Sequence, residues 1–261
     1  MSINVLVIPG LKVRSKTMFM DRNIINILIV LFTVAFIFLG LKLLNKFSMS
    51  LKFQSFGELV NHVNTKDKVV ALTYDDGPNP PYTNQLLEIL ERHQIKATFF
   101  VVGKTVEKYP DTLRLIVSKG HEIGNHSYSH KALISEKPGF IWSEIQKTDQ
   151  LLRQLGVKDE IHFRAPYGRK LIVLPYLLAK LNKKNILWTI DTKDYEASNS
   201  EVIEASVLEQ VRPGSIILMH DGGGERSRTV VATERLIENL KEKGYSFQTV
   251  SNLISKRSII K

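Results

Sequence analysis

Two adjacent aspartates, Asp75 and Asp76, follow an apolar run in the stretch ALTYDDGPNP. Neighbouring carboxylates repel one another and are costly to bury, so an exposed turn rich in Asp, Gly and Pro is the simplest interpretation. The alternative is that a bound cation, or a proton in transit, requires both carboxylates. Because alternate side chains of a strand point to opposite faces, both acids serve one site only where a strand ends, as Gly77-Pro78 indicates.

A histidine pair, His126 and His130, occurs in the sequence HSYSH. Its i, i+4 spacing predicts two imidazoles on one face of a helical turn, as in many zinc sites, although the pair alone is a weak signal. With Asp76 as a third, hard ligand, the pattern predicts an Asp-His-His metal site that keeps positions open for water and substrate. The charge of the cation would let the neighbouring Asp75 stay ionised as a base.

His220 follows the apolar run SIILM and precedes Asp221 and three glycines. A core or loop histidine is the commoner interpretation of such a residue. At the end of a strand on the active face of a barrel, it is instead a candidate general acid. Asp194 or Asp191 is then the candidate carboxylate that holds the imidazole tautomer and raises its pKa.

Arg164 opens the sequence RAPYG, directly after the apolar stretch IHF. An ordinary surface arginine before a loop is one interpretation. The other is that Arg164 pairs with the free carboxylate of Asp75, while the turn Pro166-Tyr167-Gly168 aims a backbone N–H at an oxyanion.

Short apolar strands alternate with amphipathic helices through the rest of the chain. The predicted strands are KVVALTY, KATFFVVG, HEIGNHS, IHFRAPYG, NILWTIDT, SIILMHD and YSFQTV. This alternation predicts a parallel α/β sheet. Six or seven such units in one domain of about 195 residues favour a distorted (β/α) barrel of about seven strands, with an open sheet as the alternative. Each polar cluster follows the apolar part of a strand, so the clusters are expected to converge where the carboxyl ends of the strands open.

The stretch Asn23–Leu41 has no charged residue over 19 positions, enough for a helix to cross a membrane. Basic residues precede it, which predicts a cytoplasmic N-terminus and an extracellular catalytic domain. A cleaved signal peptide is the alternative, but no clear small-x-small site follows Gly40. The predicted organisation is a cytoplasmic segment at 1–22, a single-pass signal anchor at 23–44, a juxtamembrane linker at 45–66 and the catalytic domain at 67–261.

The composition narrows the classes of partner. The formal net charge is +10, but seven basic residues and one acidic residue lie through Lys52, which leaves +4 for the remainder. No basic stripe interleaved with aromatic residues is present, so nucleic acid is not a predicted partner. The chain has no cysteine, which excludes disulfides and thiolate metal sites. No obligate protein partner is inferred.

Five motifs occur in one order along the chain: TYDDGP, HSYSH, RAPYG, DTKDY and LMH. This series resembles the polysaccharide deacetylases, the NodB-homology domain of carbohydrate esterase family 4, from about Val69 to Leu253. The resemblance implies a metal-dependent hydrolase that removes N-acetyl groups from amino sugars and releases acetate. The metal is usually zinc in this family, and Co²⁺ or Mn²⁺ is the alternative.

The resemblance also implies a role for each matching residue. They are the base Asp75; the metal ligands Asp76, His126 and His130; Arg164, which positions the base; Tyr167, whose backbone N–H helps bind the oxyanion; Asp194 and the acid His220; and Leu218, which lines the acetyl pocket. Tyr195 stands where the family often has Trp, a departure that bears on the shape of the substrate groove. Together with Tyr167 and Leu218, it is a predicted substrate-binding residue.

The predicted anchor favours an N-acetylated cell-wall glycan as the substrate, peptidoglycan first. Chitin oligomers or another N-acetylated exopolysaccharide are the alternative, and xylan O-acetyl esterase activity is a weaker one. A non-catalytic glycan-binding relative would be expected to lack the base or a metal ligand, and this chain has both. A glycoside hydrolase needs two carboxyls roughly 5 to 9.5 Å apart on either side of the bond, which adjacent aspartates do not easily provide.

Overall fold

The computed structural model describes residues 22–257, in two compact units that meet at Asn45–Lys46. The first unit contains most of helix α1, Arg22–Ser48. Its 27 residues span about 40 Å, and an 18-residue window within it has a mean hydropathy of 2.9 with no buried position. Within the described residues, α1 is the one helix long and apolar enough to cross a membrane. The predicted cytoplasmic segment, except for Arg22, lies outside the described residues.

The second unit is built on short parallel strands. They are β1 Leu59–Val60, β2 Val69–Asp75, β3 Thr98–Val101, β4 Glu122–Asn125, β5 Asn185–Ile186, β6 Ile190–Asp191, β7 Ile216–His220 and β8 Ser246–Phe247. The main sheet has the order β4-β3-β2-β7-β6, and β8 pairs with the start of β2. β2 is the central strand and is buried along its whole length.

Single-residue bridges close this sheet into a distorted barrel. Phe163 bridges to Asn125 at the end of β4 and to Asn185 at the start of β5. The segment from β5 to β6 then changes neighbours, because β5 pairs with β1 whereas β6 pairs with β7. The ring is complete, and the carboxyl ends of β2, β4 and β7 open on the same side.

Helices pack on the outside of the barrel. Proline occupies the first turn of α4 and α5, where its missing N–H costs nothing, and the side chain of Asn199 caps α7 by accepting from Val202 N. The helices are α2 Tyr82–Arg92, α3 Gly103–Lys108, α4 Pro110–Ser118, α5 Pro138–Gln154, α6 Val173–Lys180, α7 Ser200–Leu208, α8 Ser227–Glu242 and α9 Val250–Ser255.

The alternation of β2 determines which side chains enter the barrel. Val70, Leu72 and Tyr74 pack into the large core beneath the outer helices, whereas Val69 and Ala71 belong to a second core with Phe100, Ile186 and Ile216. Thr73 and Asp75 continue the second series. The last residue of the central strand therefore points into the barrel, and burial of the apolar neighbours, worth about 1.5–3 kcal/mol each, fixes that register.

The predicted parallel α/β barrel is present, with local differences. The stretch IHFRAPYG was predicted as a strand, but it contributes only the bridge at Phe163, because Pro166 has no N–H to continue a ladder. NILWTIDT forms β5 and β6 rather than one strand. β1 lies inside the predicted linker 45–66, and residues from Lys46 belong to the compact unit. The domain boundaries remain predictions.

Candidate active site

Asp75 and Arg164 form an ion pair inside the barrel. Arg164 Nη1 donates to Asp75 Oδ1 at 2.6 Å, and both residues are almost completely buried. The same guanidinium donates to Thr73 Oγ1, and its Nε donates to the Ile186 carbonyl at 3.0 Å. Burial lowers the pKa of Arg164, but the adjacent Asp75 carboxylate opposes that effect and favours the charged form.

The loop HSYSH follows β4 and carries both predicted histidine ligands. It is not a helical turn, so that part of the prediction is wrong: Ser127 and His130 adopt positive φ angles of 65° and 58°. The Asn125 side chain accepts from Ser127 N at 2.8 Å, and the Glu144 carboxylate accepts from Ser129 N at 2.8 Å. These hydrogen bonds bind backbone N–H groups of the loop, so they hold it in an irregular conformation instead of a helical turn.

Asp76, His126 and His130 converge despite this different backbone. His130 Nε2 lies 3.1 Å from Asp76 Oδ1, and His126 Nε2 lies 3.6 Å from the same oxygen. One potential ligand atom from each residue lies within 4.8 Å of the other two. Asp76 itself adopts a φ of 74° at the end of β2, which turns its side chain to the same side as that of Asp75.

The donor set fits a divalent cation. His126 Nδ1 donates to the Arg164 carbonyl at 2.8 Å, so Nε2 is left with a lone pair that faces the cluster, as in metal-bound histidines. Burial lowers the pKa of His126 to about 4, which keeps the imidazole neutral. Asp76 Oδ1 is buried and receives no hydrogen bond of good geometry from the described residues. A buried carboxylate oxygen without a donor is expected where a cation binds.

A second His-carboxylate group among residues 22–257 has ligand atoms equally close together. It consists of His93, Glu234 and Glu238 on the outer helices. Glu234 is already paired with both Arg92 and His93. This group is therefore an ordinary surface ion-pair network.

His220 lies at the end of β7, directly opposite Asp75 in the strand register. Its Nδ1 lies 2.7 Å from Asp194 Oδ1, and its backbone N donates to Asp194 Oδ2 at 2.8 Å. Burial alone would lower the pKa of His220, but the hydrogen bond and charge of Asp194 outweigh it and raise the pKa to about 9. The structure thus brings Asp194, rather than Asp191, to the imidazole.

These groups border one cavity of about 390 Å³. Tyr167 and Tyr195 lie at the rim of the cavity, and each is at least half exposed. The Tyr167 ring centroid lies 4.7 Å from that of His130, and the Tyr195 ring centroid lies 5.3 Å from that of His220. Leu218 lies in the buried floor. The lining residues are Met49, Asp75, Asp76, His126, His130, Tyr167, Trp188, Asp191, Tyr195, Leu218, His220 and Arg226.

Several residues of the site were not predicted from the sequence. Met49, Trp188 and Arg226 line the cavity although no motif contains them. An aromatic residue near the end of a predicted strand was an available signal for Trp188. Met49 offered none, because it lies outside the alternating strand–helix pattern.

Asp221 is a buried acid that packs against the turn formed by Asp75, Asp76 and Gly77. Its Oδ2 accepts from Thr83 Oγ1 at 2.6 Å, and its backbone N donates to the Asp75 carbonyl at 3.1 Å. Burial raises the pKa of this carboxyl to about 7. A Cβ on Gly77 would lie 2.0 Å from Asp221 Oδ2, which explains the glycine after the two aspartates.

Comparison with known proteins agrees with this geometry. The sequence matches the polysaccharide deacetylase family over residues 62–186. A peptidoglycan-N-acetylglucosamine deacetylase of Bacillus cereus is 36% identical over 188 residues, which cover 70% of this chain and 67% of that protein. The chain belongs to the polysaccharide deacetylase family. A chitooligosaccharide deacetylase of a Bradyrhizobium species is 35% identical over 196 residues, 70% of this polysaccharide deacetylase and 90% of that protein.

Solved structures confirm the predicted fold class. The crystal structure of the peptidoglycan N-acetylglucosamine deacetylase Bc1960 superposes with a TM-score of 0.73 at 33% identity, over 76% of this polysaccharide deacetylase and 94% of that chain. A pseudoenzyme of the same family from Bacillus anthracis superposes with a TM-score of 0.71 at 28% identity, over 78% and 71%. Active and inactive relatives share the fold, so the chemistry depends on the residues of the site rather than on the fold.

Proposed function

We propose that the protein is a metal-dependent hydrolase that removes N-acetyl groups from amino sugars of a cell-wall polysaccharide, peptidoglycan first, and releases acetate. The observation that carries the proposal is the arrangement around one cavity. Asp75 and His220 lie opposite each other on neighbouring strands, and the Asp76, His126 and His130 ligand atoms converge beside them. Family relatives are metal-dependent, and the peptidoglycan deacetylases among them support the substrate.

Asp76, His126 and His130 are the residues that would hold the cation. Two imidazoles and a carboxylate are ligands that suit Zn²⁺. A divalent cation bound there would acidify a water molecule and polarise the acetamide carbonyl. Co²⁺ or Mn²⁺ is the alternative. His126 contributes a neutral Nε2, and the His126 Nδ1 bond to the Arg164 carbonyl orients that ring.

Asp75 is the proposed catalytic base. Arg164 occupies Asp75 Oδ1, whereas Asp75 Oδ2 faces the cavity side, 3.6 Å from His126 Nε2. The proton of the attacking water is therefore taken at Oδ2. The ion pair with Arg164 holds the carboxylate in place, so that Oδ2 is the oxygen directed at the cavity.

His220 is the proposed general acid. Because Asp194 binds Nδ1, Nε2 is the nitrogen left to donate its proton to the leaving amine of the sugar. A pKa near 9 keeps the imidazole protonated at neutral pH. The same carboxylate accepts from Thr229 Oγ1, which restrains the Asp194–His220 pair.

Tyr167, Leu218 and Tyr195 are the proposed substrate-binding residues. Tyr167 has a φ of 59°, a conformation that reorients its peptide relative to an extended strand, and its backbone N–H is the proposed oxyanion donor. Leu218 is the apolar residue of the cavity floor and would contact the acetyl methyl group. The Tyr195 ring stands edge-on to His220 and borders the groove on the opposite rim.

The N-terminal helix supports membrane attachment. We infer that α1 is a single-pass signal anchor, with the N-terminus in the cytoplasm and the second unit outside the cell, from its length, apolarity and preceding basic residues. An extracellular, membrane-attached deacetylase meets cell-wall glycan.

Chitin oligomers are the second candidate substrate, supported by the similarity to chitooligosaccharide deacetylases. The same site chemistry serves either polymer because both contain N-acetylglucosamine. The size of the groove around Tyr167 and Tyr195, rather than the catalytic residues, is where selectivity between them would arise.

Acetate release is the direct test. The full chain in detergent is incubated with peptidoglycan and with chitin oligomers, with and without chelator, and compared with the Asp75→Asn variant. We expect acetate without new reducing ends, lost on chelation, restored by Zn²⁺ and absent in Asp75→Asn. Acetate that persists after chelation would contradict the metal-dependent chemistry, and no acetate from a folded, metal-loaded protein would contradict both substrates.

A further inference from the structure

The segment directly after helix α1 forms part of the catalytic cavity. Met49, one residue beyond the end of α1, lines the cavity together with Tyr167 and Trp188. The backbone on either side of it is fixed to the same unit. Lys170 N donates to the Ser48 carbonyl at 2.8 Å, the Lys170 ammonium donates to the Ser50 carbonyl, and Ser48 is buried.

Chain connectivity limits how far this cavity can lie from a membrane. Leu44 is the last residue of the predicted anchor, and Met49 follows five residues later. Five residues span at most about 18 Å even when fully extended. Because Met49 lines the cavity, that limit applies to this side of the cavity. A flexible linker, which would let the site reach distant polymer, is not available between anchor and cavity.

The surface next to this segment suits the membrane interface. Phe53, Phe56, Ile172 and Tyr176 are each between 45% and 60% exposed. Phe56 and Tyr176 pack edge to face with ring centroids 5.8 Å apart, and Ser55 Oγ donates to the Leu171 carbonyl at 3.4 Å. Aromatic side chains are enriched where protein meets lipid headgroups, so these exposed rings are of the kind found at a membrane contact.

We propose that the enzyme acts on amino sugars of glycan chains that are still attached to a membrane lipid, at the outer surface of the bilayer that holds α1. This inference rests on the proposed deacetylase activity and on the proposed anchor. Attachment of enzyme and glycan to one surface raises the effective concentration of the N-acetyl groups near the cavity, whereas polymer far from the bilayer lies beyond its reach.

The test uses the full chain reconstituted in vesicles of phosphatidylcholine and phosphatidylglycerol. One probe is an N-acetylglucosamine oligomer attached directly to a lipid in the same vesicles. The second probe is the same oligomer attached through a polyethylene glycol spacer much longer than the reach of the cavity. We expect acetate release from the direct probe to be at least about tenfold faster at equal surface density.

A matched variant carries an 18-residue rigid helical insertion between Asn45 and Lys46. The insertion adds five whole helical turns, about 27 Å, to the chain between the predicted anchor and the cavity. We expect the preference to disappear or reverse in this variant. Its rate on the free oligomer in detergent should equal that of the unmodified chain, because the Ser48–Lys170 contact is retained.

The outcomes distinguish a failure of the membrane-surface proposal from a failure of the proposed deacetylase function. Equal rates on both probes by the unmodified chain, or a preference unchanged by the insertion, would overturn the membrane-surface proposal. Failure of the unmodified chain to release acetate from the free oligomer in detergent would instead overturn the proposed deacetylase function on this substrate.

Discussion

Buried histidines and acids cluster at both ends of the barrel, but only one end is arranged for chemistry. At the carboxyl ends of the strands, Asp76, His126 and His130 present ligand atoms to a cavity. At the amino ends, Glu122 and His162 form a second buried cluster with Ser251. Burial lowers the pKa of both His126 and His162, so a shifted pKa does not distinguish the two ends.

Hydrogen bonding does distinguish them. Glu122 Oε2 accepts from Thr98 Oγ1 at 2.7 Å and from Ser251 N at 3.1 Å, while Glu122 Oε1 accepts from Ser251 Oγ at 2.6 Å. Its carboxylate is therefore satisfied by the protein. Asp76 Oδ1, in contrast, has no good donor among the described residues. This buried oxygen at the active end is therefore the acceptor left for a ligand such as a cation.

The larger cavity of the barrel is not the one at the candidate active site. The cavity beside Glu122 measures about 700 Å³, against about 390 Å³ at the active end. The larger one is lined by His121, Glu122 and Ser251 without a converging ligand set. Convergence of unsatisfied polar atoms, rather than volume, identifies the site in this molecule.

The largest expected effect separates the two acids directly. Asp76→Asn removes the anionic ligand, and we expect kcat for acetate release to fall by at least about a thousandfold, because the lost cation contributes several kcal/mol. Glu122→Gln is the matched control at the other end and should keep kcat within about twofold. Steady-state acetate assays of both variants, each checked for a native circular dichroism spectrum, decide the comparison.

A smaller effect is expected when the acid His220 loses its partner. In Asp194→Asn, burial acts with less opposition, so the pKa of His220 should fall from about 9 to its ordinary value near 6.5 or lower. An acid catalyst is active when protonated, so activity is present below this pKa and is lost as the pH rises through it. At pH 8 we expect kcat to drop about thirtyfold, with a much smaller loss at pH 6.

The pH profile of kcat measures that shift. The alkaline limb should lie near pH 9 in the unmodified enzyme and at about pH 6.5 or lower in Asp194→Asn. Asp191→Asn is the control, since Asp191 lines the cavity but does not bond His220. An alkaline limb that moves equally in both variants would show that general field effects, not the Asp194 contact, set the titration.

Tyr195→Trp is expected to change the groove more than the chemistry. The Tyr195 ring is half exposed and meets His220 edge-on, so a larger ring at this position alters the rim without touching the metal ligands. We expect kcat to change by less than about threefold and KM for oligomers to change more. A loss of kcat comparable with that of Asp194→Asn would place Tyr195 in the catalytic machinery.

Glu122→Gln is expected to have the smallest effect on activity but a measurable effect on stability. Glu122→Gln should lower the free energy of unfolding by about 1–3 kcal/mol, because hydrogen bonds to a buried charged acceptor are replaced by weaker ones. Chemical denaturation in detergent measures this change, with Glu196→Gln, an exposed residue, as the control. An unchanged stability would mean that the Glu122 cluster is not the structural network inferred from its contacts.

Sequence patterns predicted the strands that are long and apolar. β2, β3 and β7 lie where the runs KVVALTY, KATFFVVG and SIILMHD predicted them, because burial on both faces gives a parallel strand an apolar sequence. β4 lies within the predicted run HEIGNHS, although Ile123 is the one large apolar residue among its four. Two-residue strands such as β1 have too few positions to show any period. The break between β5 and β6 depends on a change of neighbouring strand, which is a tertiary property.

Among the site residues, too, those at strand ends were predictable from the sequence and those in loops were less so. Asp75, Asp76 and His220 were predictable because a strand end dictates their place. The spacing of His126 and His130 predicts a helical turn, whereas the loop backbone donates to the side chains of its neighbour Asn125 and of Glu144 on α5, and these bonds give it another conformation. Met49 and Asp221 were not predicted, since their roles depend on contacts with residues far along the chain.

Zinc binding by the full chain tests the central claim most directly. Equilibrium dialysis in detergent should give one ion per chain for the unmodified protein and for Glu122→Gln, and none for Asp76→Asn at the same free Zn²⁺. Binding that survives Asp76→Asn but is lost in Glu122→Gln would contradict the account, because it would place the metal at the other end of the barrel.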